Sequence, residues 1–278
     1  METLSVKPDP CEKQPRDSGD TPGLTVCALA SGSRGNAIFV SDGTTAILID
    51  AGLSGVEIER RMAHHGLLSA DLDAIVVTHE HNDHIQGVGV LARRFHLPVF
   101  MTRQTHRATP PQLGKIEDLH RIACGTPFAV GTLDLHPFAI SHDAADPCGF
   151  TIARNGIKVG VATDLGIATA MVREHLRDCQ GLIIEANHDP EMLLNGPYPW
   201  PLKQRIRSRT GHLSNPETRD LLETLVHDSL QHVVLAHLSE SNNTPEKAEK
   251  TVARVLAGSP VRLSVACQDR CGDLLKFP

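Results

Sequence analysis

Aromatic side chains are scarce: they make up 3% of the 278 residues, with a single Trp and a single Tyr. Binding by extensive base stacking, which takes a row of exposed rings, is therefore not expected. Positive charge is not in excess either. Lys and Arg number 27 against 33 Asp and Glu, a formal charge of −6. A polyanion would have to be gripped by localised cations or by bound metal, which the net charge omits. No apolar run approaches the ~20 residues of a membrane span, so no membrane partner is expected. The N-terminus lacks the basic-then-apolar order of a signal peptide. Seven cysteines, an odd number, contain no C-x-x-C pair. Cys267 and Cys271 read as two thiols near a terminal strand in preference to a redox or metal pair. A disulfide framework is not expected, and reduced thiols fit a cytoplasmic protein.

What the chain does hold is the run Thr78-His79-Glu80-His81-Asn82-Asp83-His84. His79, His81, Asp83 and His84 crowd imidazoles and carboxylates into one short stretch directly after the apolar Ala74-Ile75-Val76-Val77. Such β-branched runs read as buried strands. A strand would split these ligands between two faces and a regular helix would separate 79 from 81, so a tight loop is expected. Convergence on two adjacent cations is the economical reason to collect them. Zinc suits these ligands best, with manganese or iron as alternatives.

Three further apolar strands end in the same chemistry. The strand 133–140 is followed by Ser141-His142. The strand 157–162 ends at Thr163-Asp164, and 232–236 ends at His237. In α/β sheets, sites form at such strand ends. Elsewhere, strands are expected at 24–30, 37–40, 45–49, 98–101, 127–129 and 182–184. A hairpin is expected at 149–161 around Asn155-Gly156. Helices are expected at 54–65, 85–94, 214–227 and 245–257, the last two with Ser or Thr and then Pro at their starts. Residues 1–23 read as a disordered leader and 24–278 as one domain, because ligands spread from 79 to 237 need one fold to bring them together.

The pattern H-x-H-x-D-H with distant His, Asp and His resembles the metallo-β-lactamase superfamily. That resemblance implies an α/β fold of the four-layer αβ/βα sandwich type. It also implies two divalent metal ions: one on His79, His81 and His142, the other on Asp83, His84 and His237, bridged by Asp164. Asp50 matches the superfamily's early aspartate, which supports the histidine loop from behind. From residue 24 onward the chain is similar to the YycJ/WalJ group of metal-dependent exonucleases. The matching stretches are Ser31-Gly32-Ser33-Arg34-Gly35-Asn36, Glu185-Ala186-Asn187-His188-Asp189, Asn195-Gly196-Pro197-Tyr198-Pro199, Gly211-His212-Leu213-Ser214-Asn215 and Leu235-Ala236-His237-Leu238-Ser239. The group usually has Ser where this chain has Asn82, a position that is not a ligand. The resemblance implies a 5′-to-3′ DNA exonuclease of repair or replication.

Three features qualify as substrate or support residues. The acid-free segment from Tyr198 to His212 carries Lys203, Arg205, Arg207 and Arg209, which as an extended arm line one side and as a helix pair 203 with 207 and 205 with 209. A solvated basic face and a phosphate-binding role are both open, and proximity to His212 favours the latter. By resemblance to phosphodiesterases of this fold, His212 contacts phosphate and assists the leaving group, with Glu185 and His188 orienting it or its loop. The loop with Ser31, Ser33 and Asn36 reads equally as an ordinary turn between strands or, with the support of the family resemblance, as a source of backbone N–H groups for a phosphate.

The expected chemistry is hydrolysis of DNA phosphodiesters by a hydroxide bridging two metals, with Asp83 orienting it and His212 acting at the phosphate or leaving oxygen. RNA stays open as a partner, although the short span from Asp164 to His237 leaves little room for the inserted domain of the RNA-processing branch. A homo-oligomer also stays open. The competing readings are a hydrolase of the same scaffold acting on a small cyclic phosphodiester, a thioester or a lactone, and a non-catalytic metal-binding protein. A damaged ligand set would mark the last, and none is damaged here.

Overall fold

Residues 23–278 are described by a computed structural model, in which two seven-stranded sheets pack face to face. The expected leader therefore lies, apart from Gly23, outside the described residues. One sheet has the order β14 (Leu275–Phe277), β1 (Leu24–Ala30), β2 (Ala37–Ser41), β3 (Ala46–Ile49), β4 (Ala74–Val76), β5 (Val99–Thr102), β6 (Leu119–Ile122). The other has the order β13 (Arg262–Val265), β12 (His232–Ala236), β11 (Gly181–Glu185), β10 (Ile157–Ala162), β9 (Cys148–Arg154), β8 (Leu133–Ala139), β7 (Phe128–Val130). Alternate residues of the strands, such as Val26, Ile47, Val76, Phe150, Val161 and Val234, meet between the sheets. Truncating a fully buried ring such as Phe150 there would cost ~3–5 kcal/mol.

Each outer sheet face is covered by helices. Ile58 and Met62 of α1 (Gly55–His64) and Leu91 and Ala92 of α3 (Val88–Phe95) pack with Leu29, Leu48 and Ile75. On the other side α5 (Ala170–Leu176), α8 (Asn215–Glu223) and α9 (Pro245–Val252) pack with Ile184 and Leu235. The layers are thus α, β, β, α: the four-layer sandwich of the metallo-β-lactamase fold. No helix among the described residues is long and apolar enough to cross a membrane.

Strand direction is what places the site. Strands β3 to β6 run parallel to one another, and so do β10 to β13. Strand β8 is antiparallel to β9, itself antiparallel to β10, so β8 also points the same way as β10. The C-terminal ends of β3, β4, β8, β10, β11 and β12 therefore open at one rim of the sandwich. Asn155 and Gly156, both at positive φ, close the expected β9–β10 hairpin.

Local differences from expectation have physical causes. The helix expected at 85–94 is broken: a single turn, α2 (Asn82–Ile85), precedes α3. Helices α8 and α9 stop at Glu223 and Val252, short of 227 and 257, and begin where expected. Ser214 and Glu217 form a reciprocal capping box, and Thr244 caps α9. The segment 102–120 holds α4 (Arg103–Ala108) and the start of edge strand β6, whose exposed His120 and Arg121 hid the strand pattern.

Candidate metal centre

The histidine run leaves β4 differently from the loop expected. His81, in extended backbone, occupies the N-cap position of α2 without a side-chain capping bond, so Asp83 and His84 lie on one helical turn. Gly52 makes this approach possible. A Cβ at Gly52 would lie 1.6 Å from the Asp83 carbonyl oxygen.

Three carboxylate or imidazole positions at strand ends take left-handed backbone: Asp50 at φ 60°, Asp164 at φ 57° and His237 at φ 55°. Non-glycine residues held there cost ~1–3 kcal/mol each. The neighbourhood imposes the conformation. The Asp50 amide donates to Val76 O at 2.8 Å, and the His237 amide donates to Ser31 Oγ at 2.7 Å.

Hydrogen bonds fix which nitrogen each imidazole presents. Thr78 Oγ1 donates its single proton to Asp50 Oδ2 at 2.8 Å, so it accepts from His79 Nδ1 at 2.9 Å and leaves His79 Nε2 bare. The other Asp50 oxygen accepts from the Thr78 amide, and Asp50 Oδ2 holds His84 Nδ1 at 2.7 Å. His142 Nδ1 donates to Gly211 O at 3.2 Å, leaving its Nε2 bare. His81 Nδ1 then lies 3.0 Å from His79 Nε2 and 3.3 Å from His142 Nε2. A proton on His81 satisfies one of these lone pairs and not both; a shared cation satisfies all three. Two buried atoms, Asp164 Oδ2 and His237 Nε2, have no hydrogen-bond partner among the described residues. His237 Nε2 is 3.7 Å from Asp83 Oδ2, and Asp164 Oδ2 is 3.1 Å from His84 Nε2. The donor atoms group as His79, His81 and His142, as Asp83, His84 and His237, and as Asp164 with His79 and His84, each set within 4.8 Å. The residues fit two cations, with Asp164 between them.

The electrostatics state the same demand for positive charge. Burial lowers the proton affinity of His84, but Asp164, Asp50 and Asp83 outweigh it and hold the imidazole well above the usual histidine range. The same balance drives His237 up to about 10, with burial opposed by Asp164, Asp83 and Glu185. Asp164 and Asp83 fall well below the carboxylate range: burial opposes, and His237 and His84 prevail for Asp164, His84 and His237 for Asp83. His79 has the opposite sign. Burial first, then the neighbouring His84, hold it well below its ordinary value, as suits a neutral ligand.

Glu185, the last residue of β11, is a fully buried hub. Its Oε1 accepts from His212 Nδ1 and His237 Nδ1, each at 2.8 Å. Its Oε2 accepts from the amides of Leu165 and Leu213 at 2.8 and 3.0 Å. Although burial opposes ionisation, His212 and His237 hold the carboxyl at about 2. The expected support of His212 by Glu185 is thus present, and it extends to His237.

Other expectations need correction. The His188 ring does not orient His212. It is buried, its Nδ1 has no partner among the described residues, and burial holds it down to about 4. Its backbone supports the loop instead, through the Asn215 amide on His188 O. Lys203 is not a phosphate contact. Its ammonium is buried against the carbonyls of Leu194 and Gly196 at 2.8 and 2.7 Å. Its segment forms the helix α7 (Trp200–Ile206), and Arg205 there pairs with Asp143 at 2.8 Å while lining the cleft. Arg207 and Arg209 are exposed, outside the cleft lining. The Ser31–Asn36 loop is no free nest of amides: those of Ser31, Gly32, Arg34, Gly35 and Asn36 already donate to protein acceptors. Instead Ser31 holds the His237 backbone, Asn36 Nδ2 lies 3.3 Å from Asp83 Oδ2, and Ser33 lines the cleft. Sequence reasoning missed Asn187, which binds His237 O at 2.9 Å and lines the cleft, and Asp143; Asn187 lay inside a matching stretch, Asp143 gave no signal beyond its place after His142.

Residues 45–238 match the beta-lactamase superfamily domain. The chain is 37% identical over 236 residues to exodeoxyribonuclease YycJ of Bacillus anthracis, covering 84% of this chain and 89% of that protein. It is 36% identical over 247 residues to exodeoxyribonuclease WalJ of Streptococcus pneumoniae, covering 87% and 92%. In fold it is similar to the metallo-beta-lactamase fold protein YhfI from Bacillus subtilis, with TM-score 0.69 at 15% identity over 92% of this chain and 100% of that one.

Proposed function

The chain belongs to the beta-lactamase superfamily, in its YycJ/WalJ-like group, and from that premise we propose that this metal-dependent hydrolase is a 5′-to-3′ DNA exonuclease of repair or replication. The observation that carries the reading is one cleft of about 230 Å³, lined by His81, Asp83, His142, Asp164 and His237 together with His212 and Arg205. His79, His81 and His142 would hold one cation, Asp83, His84 and His237 the other, and Asp164 both. When bound, two such ions lower the pKa of a water and draw charge from a phosphate. The chain's own residues do the rest. Asp83, on the cleft wall, orients the attacking water. His212 gives its Nδ1–H to Glu185, which fixes the ring and leaves Nε2 to hold or move a proton at the leaving oxygen. Arg205 offers a cation to the incoming backbone.

The test is hydrolysis by the purified full chain, with zinc or manganese, of one DNA strand labelled at either end, of the matching RNA, and of a small chromogenic diester. The reading expects 5′-labelled DNA to release short labelled product at once, and 3′-labelled DNA to shorten as a ladder. Turnover of the small diester with every polymer intact would overturn it in favour of a small-diester hydrolase.

A further inference from the structure

Part of the cleft lining comes from residues that the proposed chemistry does not use. Between α6 (Pro190–Asn195) and α7 the chain reads Gly196-Pro197-Tyr198-Pro199. Tyr198, the chain's one tyrosine, lines the cleft together with Leu202 and Ile206 of α7. Its hydroxyl has no hydrogen-bond partner among the described residues, and the ring is half-buried. The ring is also held in place. Prolines on both sides restrict its backbone, and the buried ammonium of Lys203 ties down the carbonyls of Leu194 and Gly196 on the same turn. An aromatic face fixed before a ligand arrives loses little entropy on stacking.

The cleft lining therefore carries two unlike sets of side chains. One is polar, with His81, Asp83, Ser33 and His212; the other is aromatic and aliphatic, with Tyr198, Leu202 and Ile206. A nucleotide has two parts of the same kinds, an anionic phosphate and a flat apolar base. A cavity of about 230 Å³ lies below the ~300–1,000 Å³ of common ligand pockets. Its size suits one nucleotide unit.

We propose that Tyr198, backed by Leu202 and Ile206, forms a base subsite that takes one unpaired terminal nucleotide and thereby sets its phosphate against the His/Asp cluster. This deepens the nuclease reading and rests on it for the identity of the polymer. Tyr198 acts as a specificity residue that stacks on the base, and Lys203 as a positioning residue that braces the turn. One ring serves one base, which is consistent with a chain too poor in aromatics to track a longer strand.

The experiment compares ligands with and without a base on the metal-loaded full chain. Binding of thymidine 5′-monophosphate and of deoxyribose 5-phosphate is measured by calorimetry for wild type, Tyr198→Phe, Tyr198→Ala and Lys203→Met. Stacking of one base is worth a factor of about 5–150. Wild type and Tyr198→Phe are expected to prefer the thymidine ligand by a factor in that range. Tyr198→Ala is expected to lose the preference while binding deoxyribose 5-phosphate as wild type does, and Lys203→Met to lose part of it. Equal affinities in wild type, or a preference that survives in Tyr198→Ala, would overturn the subsite. A folding defect in Tyr198→Ala would show as lost binding of both ligands, and Tyr198→Leu, which keeps the apolar bulk without the ring, then decides by the same criterion. A base preference with no hydrolysis of any polymer would uphold the subsite and overturn the nuclease reading, so the two fail separately.

Discussion

Replacing Glu185 by Gln changes one atom's chemistry and nothing of its shape. The carboxylate accepts four hydrogen bonds, two from imidazoles and two from backbone amides. A glutamine has one acceptor oxygen and one NH₂ group. The Leu165 and Leu213 amides cannot change what they donate, so the glutamine oxygen must face them. Its NH₂ then points at His212 Nδ1 and His237 Nδ1, with one hydrogen for each. Both rings must shift their proton to Nε2. For His237 that is the atom turned toward Asp83, and a protonated Nε2 cannot ligate a cation. Loss of a partner that orients a ligand lowers metal affinity about 10- to 100-fold, equivalent to ~1.4–2.8 kcal/mol. The four bonds to the carboxylate, charge-assisted and worth ~1.5–3 kcal/mol each, also become neutral ones. The expected result of a chelator-competition titration is one equivalent weakened in that range, the one that uses His237, with the other changed little. Hydrolysis should fall further than metal affinity, because saturating metal does not restore His212. Unchanged affinity for both equivalents with an unchanged rate would refute the reasoning about tautomers.

His212→Ala should keep both metals and lose more turnover on diesters with poor leaving groups than on a nitrophenyl diester; equal loss on both argues against proton transfer at the leaving oxygen. Replacing Arg205 and Arg209 together with Gln should weaken DNA binding and flatten its salt dependence by ~0.7–0.9 for each phosphate no longer neutralised, sparing hydrolysis of a small diester; parallel salt plots would make these arginines a solvated face. His188 sets a pH dependence. Its folded value of about 4 lies below the ordinary ~6.5, so between those values the unfolded chain binds a proton that the folded chain refuses. Stability is retained above pH ~6.5 and falls as pH drops through about 4, by up to ~3 kcal/mol for this group. Denaturant unfolding in chelator at several pH values should therefore show a shallower acid loss for His188→Gln, and equal slopes would count against the shift.

The sequence is most readable where burial and chemistry meet in one continuous run. Apolar stretches ending in His79, His142, Asp164 and His237 announce both the strands and the rim where they open. Parallel pairing then does what no run of letters states, by turning all those ends the same way. Strands β6, β13 and β14 are harder to see because edge strands carry exposed residues such as His120 and Arg262 and lose the apolar pattern. Lys203 misleads because a lysine in a basic stretch looks solvated, and only the fold shows two carbonyls closing on its ammonium. Left-handed backbone at Asp50, Asp164 and His237 is hard to read from residue type: Asp and His tolerate it better than other non-glycine residues, but most of them do not adopt it. The double duty of Glu185 is half visible: an acid ending an apolar strand is conspicuous, but its second imidazole is distant in sequence.

The central claim is that this rim is a two-cation hydrolytic centre. Metal content by mass spectrometry, with anomalous diffraction at the metal edge, tests it most directly on protein purified without chelators. The account predicts two ions per chain, one among His79, His81 and His142 and one among Asp83, His84 and His237. It further predicts that Asp83→Ala or His81→Ala loses bound metal and lowers hydrolysis by orders of magnitude. Fewer than one ion per wild-type chain, with hydrolysis intact, would contradict it.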